Sequence, residues 1–211
     1  MKIVLIGAGG HAKVVFDAIV STKQHEVVGF IDDNPRLAGT RFFNQPVVNQ
    51  IESLNGVEGY IVAIGSNAVR KAKYELYKNT GYLPVNAIHA SAIISPYANI
   101  GNGVVAFANV VVNPGTQIGD NVILYTACTV DHDCHISEHT YISPGCNLSG
   151  QVNIGVGAFL GTGAVVLPQI SIGEWSIIGA GAVVTKDIPA HVTAIGVPAK
   201  IIKQHKEIAY E

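Results

Sequence analysis

The segment Asp131-His132-Asp133-Cys134-His135, followed by His139 and Tyr141, concentrates the groups that could do chemistry. Three of the eight histidines of the chain fall within eight residues. Two chemistries suit them. Histidines at such spacing can ligate a metal ion. A single histidine with a carboxylate beside it can instead act as a general base, because its proton affinity lies near neutrality. Asp133, or else Asp131, would then orient the ring.

The elements around this segment favour the base. From Ile94 to Val184 every sixth residue is apolar, sixteen positions without a break in phase. Four residues after each stands a small or β-branched residue, including Val104, Val110, Thr116, Cys128, Cys146 and Ala182. Gly often follows the apolar residue, as at Gly101, Gly119 and Gly155. A helix turns every 3.6 residues and a flat strand repeats every two, so neither keeps a period of six on one face. A parallel β-helix does. Each hexad supplies a short strand and a corner, and three hexads make one coil of about 4.8 Å rise. The repeat therefore spans about five coils. Residues then stack every 18, which sets His132 between Pro114 and Gly150. His132, His135 and His139 lie at hexad offsets of two, five and three. They leave the prism in different directions and do not converge on a metal. His135 and His139 read as surface residues. The three cysteines, Cys128, Cys134 and Cys146, share the inward small-residue series and read as buried, unreactive packing.

Residues before the repeat read as strand, glycine turn and helix. Lys2–Ile6 runs into Gly7-Ala8-Gly9-Gly10-His11-Ala12. The second strand ends in Asp32-Asp33-Asn34, the third in Gly65-Ser66-Asn67. Alternating strands and helices imply a parallel sheet with a binding edge at the strand C-termini. A glycine turn before a helix implies a phosphate at the helix N-terminus. A dinucleotide needs a second half-fold, for which the repeat leaves no room. A nucleotide-sugar diphosphate suits the half that is present. The expected domains are 1–82, Rossmann-like, and 83–211, the β-helix with a polar tail from Lys203.

The chain has 211 residues, is 48% hydrophobic and 13% charged, and carries a net charge of −2. No basic run suggests nucleic acid or an anionic membrane. No apolar stretch approaches ~18 residues, and Met1–Ile6 is too short for a signal-peptide core. The expectation is a soluble cytoplasmic protein without membrane insertion.

The Gly-Ala-Gly-Gly-His-Ala-Lys-Val start, Ile-Asp-Asp-Asn, Ala-Ile-Gly-Ser-Asn, Val130-Asp131-His132-Asp133-Cys134 and Gly-Val-Pro-Ala-Lys resemble one family over nearly the whole chain. It is the hexapeptide-repeat sugar O-/N-acetyltransferase family, with nucleotide-amino-sugar N-acetyltransferases and sialic-acid O-acetyltransferases. The resemblance implies an α/β Rossmann-like subdomain followed by a left-handed parallel β-helix. It implies a homotrimer with acetyl-CoA, and no metal, at subunit interfaces. The substrate would be a nucleotide amino sugar, UDP-linked and of the 4-amino-4,6-dideoxy kind. Gly9, Gly10, His11, Asp32, Asp33, Gly65 and Asn67 would bind it. His132 would be the general base, Asp133 its partner, and Gly150 an oxyanion donor. Tyr141, Gly150, Gly161, Thr162 and Ala180 would line the acetyl-CoA channel. Tyr141 departs from the family, which often has histidine there. Two alternatives remain: O-acetylation of a sugar such as sialic acid, and a scaffold or metal hydratase on the same fold. A metal site of the γ-carbonic-anhydrase type would need histidines on neighbouring coils.

Overall fold

The computed structural model describes residues 1–205. The end of the polar tail expected from Lys203, residues 206–211, lies outside the described residues.

The first part is a six-stranded sheet with one helix on each side. Its elements are β1 (Lys2–Ile6), α1 (Gly10–Thr22), β2 (Glu26–Ile31), β3 (Arg41–Phe42), β4 (Gln45–Val48), β5 (Gly59–Val62), α2 (Asn67–Lys78) and β6 (Leu83–Pro84). The strand order is β3-β4-β2-β1-β5-β6, and only the β3–β4 pair is antiparallel. β1 is buried over its last four residues, as a central strand covered on both faces must be. Ala12, Val15 and Ile19 of α1 pack on Ile3, Leu5 and Ile61. Tyr74 of α2 packs on Val4, Ile6 and Val62, across the sheet. The helices therefore leave from opposite sides of β1 and β5, and a crevice opens at the C-terminal ends of those two strands.

The second part is a three-faced parallel β-helix of two-residue rungs. The first face begins at Ala87–Ile88, one hexad before the repeat read from the sequence. Its rungs continue through Val105–Ala106, Ile123–Leu124, Tyr141–Ile142, Phe159–Leu160 and Ile177–Ile178. The second face runs from Ile93–Ile94 to Val183–Val184, the third from Asn99–Ile100 to Ser171–Ile172. Partners along each face are 18 residues apart, as Val111 with Thr129 and Gln117 with His135. Both inward series form one continuous core. The hydroxyl members of the small series bond corner carbonyls: Thr116 Oγ1 donates to Asp131 O at 2.6 Å, and Ser176 Oγ to Pro189 O at 2.6 Å. The cysteines are buried and free, and burial pushes their thiols up, which keeps them unreactive.

Two features make the corners. A Cβ on Gly119 would lie 2.6 Å from Glu138 N in the next coil, so no side chain fits after the inward residue there. Three residues after most inward apolar residues, the backbone turns left-handed, as at Asn109, Asn121, Asp133, His139, Gln151 and Trp175. Asn, Asp and His tolerate this better than most residues, which explains why corners are rich in them.

The sheet domain covers the first face. Val105, Phe107 and Ile123 of that face belong to the same apolar cluster as α1. Arg70 of α2 is fully buried at the junction. Its Nη2 donates to His139 O at 2.6 Å, and its Nε to Asn121 O at 3.2 Å. Its Nη1 donates to Asn67 Oδ1 at 2.9 Å and Gly65 O at 3.3 Å. Burial lowers its affinity for its proton to about 9. Arg70→Met removes the donors and leaves these buried carbonyls unpaired. It should cost roughly 3–5 kcal/mol in urea unfolding. A loss within about 0.5 kcal/mol would refute Arg70 as the junction.

Candidate active site

His132 sits on the corner between the second and third faces, after the rung Thr129–Val130 and before His135–Ile136. Its Nδ1 lies 2.9 Å from Asp133 Oδ2. An ionised carboxylate only accepts, so Nδ1 carries the proton and Nε2 keeps its lone pair. A Cβ on Gly150 would stand 2.5 Å from that Nε2. Glycine at 150 is therefore what leaves the nitrogen accessible. Ladder bonds use the N–H groups of Ser149 and Gln151 on either side of Gly150.

Asp131 has a different task from Asp133. Its Oδ1 accepts from the backbone N–H of His132 at 2.8 Å and from Asn113 Nδ2 at 2.8 Å. The Asn113 bond, with that from the His132 N–H, holds its carboxyl below the usual range. Asn113 was missed in the sequence, although it lies 18 residues before Asp131. The hydrogen bond to Asp133 raises the pKa of the exposed His132 above its ordinary value.

The neighbouring histidines differ. His135 is exposed on the third face, between Gln117 and Asn153. His139, expected at the surface, is buried instead, at 3% exposure. Its left-handed corner faces α2, which closes over it. Asn121 Nδ2 donates to its Nδ1 at 2.8 Å, and the Tyr74 ring stands edge-on at 5.8 Å. Burial first, then the Arg70 charge, pushes its pKa down to about 4. Among the described residues no group of three or more His, Cys, Asp or Glu side chains is arranged to hold a metal ion.

The crevice of the sheet domain has a volume of about 370 Å³ and is lined by Gly9, Gly10, His11, Asp32, Asp33 and Gly65, together with Ile64, Val69 and Lys73. The turn needs Gly7: its φ is +110°, and a Cβ there would lie 2.9 Å from Ala63 O. Gly9 caps α1 without a side-chain bond, so the first N–H groups of the helix are open to an anion. Asp32 ties the turn to β2, accepting from Ala8 N–H at 2.8 Å and Asn34 N–H at 2.9 Å. Asp33 pairs with Lys73 at 2.6 Å.

Two expected crevice residues behave differently. The His11 ring packs on Phe107 at 5.7 Å and Tyr125 at 5.8 Å, on the first face of the β-helix. Burial pushes its pKa down to about 4, so it is neutral and offers a phosphate no charge. Asn67 is not in this crevice. Its Nδ2 donates to Gly157 O at 2.9 Å and Ala158 O at 3.2 Å, and with Arg70 it clamps the domains.

Of the expected coenzyme residues, Gly150 lies against His132, whereas the others lie apart from it within one chain. Thr162 and Ala180 sit at the corner between the first and second faces, where a Cβ on Gly161 would meet Ala180 N at 2.6 Å. Tyr141 is on the first face itself, stacked on Phe159 at 5.1 Å and with the Arg70 guanidinium 5.9 Å from its ring centroid. Burial pushes its phenol up to about 12.

A nucleotide-type crevice on a hexapeptide β-helix, with an exposed histidine–carboxylate pair, defines a sugar acyltransferase class. Comparison with known proteins agrees. Residues 2–77 match the PglD N-terminal domain family, and residues 151–186 match the bacterial transferase hexapeptide repeat. PerB of Caulobacter crescentus, solved with CoA and GDP-perosamine, is 39% identical and superposes with a TM-score of 0.90, covering 96% of this chain and 98% of that one. The acetyltransferase domain of PglB from Neisseria gonorrhoeae, solved with acetyl coenzyme A, is 38% identical, with a TM-score of 0.89 over 95% and 98% of the chains. The UDP-N-acetylbacillosamine N-acetyltransferase of Bacillus subtilis is 37% identical over 111 residues, about half the length of each protein. The chain belongs to the hexapeptide-repeat sugar acetyltransferase family.

His11 and His139 link stability to acid. Each has a folded pKa of about 4 against about 6.5 unfolded. The folded state binds fewer protons between these values, so this stability is complete above about pH 6.5 and lost as pH falls towards 4. Each group contributes on the order of 3 kcal/mol to that loss. His139→Gln should flatten the dependence of urea midpoint on pH across this window. An unchanged slope would contradict a neutral, buried His139.

Proposed function

We propose that this chain transfers the acetyl group of acetyl-CoA to the amino group of a nucleotide-linked amino sugar. The sugar is of the 4-amino-4,6-dideoxy kind, and UDP is its expected nucleotide. The pairing of His132 with Asp133, its Nε2 open above Gly150, carries the proposal. Support also comes from the relatives, whose names give UDP-linked and GDP-linked amino sugars and CoA.

The sugar nucleotide lies in the crevice, its diphosphate at Gly9 and Gly10 and its nucleoside towards Asp32, Asp33 and Gly65. The amine attacks the thioester carbonyl while His132 Nε2 takes its proton. Asp133 holds the proton on Nδ1 and favours the imidazolium that forms. The Gly150 N–H stabilises the oxyanion, and the departing thiolate takes the proton held by His132, which completes direct transfer and restores the base. Gly161, Thr162 and Ala180 hold the coenzyme, with Tyr141 near the thioester. No metal takes part.

The reaction needs more than one copy of the chain. The sheet domain covers the first face, and His132 is on the opposite edge of the prism. The second face lies between the His132 corner and the Thr162–Ala180 corner. It exposes Ile93 and Leu167. Packing second faces about a threefold axis buries these and sets the His132 edge of one subunit beside the coenzyme edge and crevice of the next.

His132→Ala should lower kcat by on the order of 10²–10⁴ with little change in either KM, whereas His135→Ala should be close to neutral. Equal losses in the two variants would defeat the single-base mechanism. The acid limb of kcat/KM should report His132, with activity falling as pH drops through its raised pKa. Asp133→Asn removes the main cause of that rise, so the limb should move to lower pH; an unmoved limb would exclude Asp133 as the partner. Assays with UDP- and GDP-linked amino sugars against CMP-sialic acid test the acceptor, and turnover confined to the last would overturn N-acetylation.

Shared sites can be tested by complementation. Gly10→Glu puts a negative charge where the diphosphate would bind, in open space. Trimers mixed from Gly10→Glu and His132→Ala chains should regain activity that neither parent has. Continued inactivity of verified mixed trimers would place both sites in one chain.

A further inference from the structure

We infer that Asn113-Pro114-Gly115-Thr116, one coil ahead of His132, is the frame that positions the base, with Asn113 setting its backbone and Gly115 seating its carboxylate partner. The inference rests on the general-base reading above. The His132 and Asp133 side chains are 55% and 59% exposed. An ion pair this open contributes little by itself. Two exposed side chains on a corner keep one geometry only if something else holds them.

Each member of the frame holds a different point. Asn113 Nδ2 donates to Asp131 Oδ1 at 2.8 Å, and the same oxygen accepts the His132 N–H at 2.8 Å. Asp131 thus stands between the Asn113 amide and the backbone of the base. Pro114 O accepts the Asp133 N–H at 3.1 Å. Thr116 Oγ1 donates to Asp131 O at 2.6 Å and accepts the Cys134 N–H at 3.2 Å, so it ties both ends of the segment. Gly115 works by what it lacks. A Cβ there would collide with Asp133 Oδ1. Its absence opens the place that the carboxylate takes while Oδ2 reaches His132 Nδ1 at 2.9 Å. The coil on the other side meets His132 with the Gln151 N–H, a ladder bond to His132 O at 2.9 Å, and with Gly150, which has no side chain to hold it.

Asn113 and Gly115 act on different properties. Asn113 is a positioning residue for the ring, so its loss lowers the rate of proton transfer. Gly115 fixes where the carboxylate stands, so its replacement changes the proton affinity of the ring. The charged groups facing the ring are Asp133 and Asp131. Pro114 and Gly150, its neighbours in the adjacent coils, do not titrate. The hydrogen bond to Asp133 is the main cause of the raised pKa of His132, so displacing the carboxylate lowers it.

Steady-state kinetics on the full-length chain, with proton NMR titration of the His132 imidazole, test this. The imidazole signal is assigned by its absence from the spectrum of His132→Ala. Asn113→Ala should lower kcat roughly 10–100-fold with KM unchanged and leave the imidazole titration in place. Asn113→Asp sets two carboxylates together and should be worse. Adding Asp131→Asn to Asn113→Asp restores a donor against an acceptor and keeps an amide oxygen facing the His132 N–H. This exchange should recover most of the lost kcat. Gly115→Ala should move the imidazole titration, and with it the acid limb of kcat/KM, to lower pH. The φ of +77° at Gly115 adds strain to that variant, but strain alone does not move the titration of an exposed ring. Wild-type kcat in Asn113→Ala, or an exchange that recovers nothing, would overturn the role of Asn113. An unmoved imidazole in Gly115→Ala would overturn that of Gly115. Wild-type kcat in His132→Ala would overturn the general-base reading instead, and the imidazole titration would still decide for or against the seat at Gly115.

Discussion

Arg70 is the interaction on which the arrangement of this protein depends. A guanidinium with no exposure and no carboxylate partner among the described residues is an expensive thing to bury. It persists here because backbone carbonyls from both domains, and the Asn67 amide, take its donors. Those acceptors come from the end of β5 and from two corners of the β-helix. A planar fork of donors can satisfy them only in one relative placement of the two domains. The crevice and the first face are thereby held together, and His139 and Tyr141 are covered in the process.

Stacking by 18 is the second constraint, and it explains the division of labour around His132. Asn113 stands one coil from Asp131 and hydrogen-bonds to it, while Asp131 fixes the backbone of His132. Pro114 O receives the Asp133 N–H. Gly150, one coil beyond His132, removes the side chain that would cover Nε2. Neighbouring coils thus fix the backbone, the tautomer and the access separately. The left-handed corner at Asp133 sets the carboxylate beside the ring that precedes it in the chain. One short segment can therefore supply both base and partner without help from a distant loop.

The candidate site was legible in proportion to how local its causes are. The stacking of His132 against Gly150, and the glycine turn with its following carboxylates, follow from period and spacing. His139 did not follow, because its burial is caused by α2, which is remote in sequence and packs on that corner only after the domains dock. The neutral, inward-facing His11 has the same origin: its neighbours Phe107, Tyr125 and Tyr141 lie on or just after rungs of the first face. Asn67 looked like part of a binding turn, yet its amide is used by Gly157 and Ala158 of the β-helix. In each case a polar side chain near a domain junction was taken up by the other domain.

The sequence by itself determined the β-helix, its inward series and the order of its corners, because a strict period leaves the backbone one way to bury those residues. It also determined a crevice of strand, glycine turn and helix, since turn chemistry and helix termini are local. Only the tertiary structure decided which face the sheet domain covers. That docking places His132 on the edge opposite the crevice and neutralises two histidines. It depends on carbonyl directions and apolar patches of many separate rungs, which no single stretch of residues encodes.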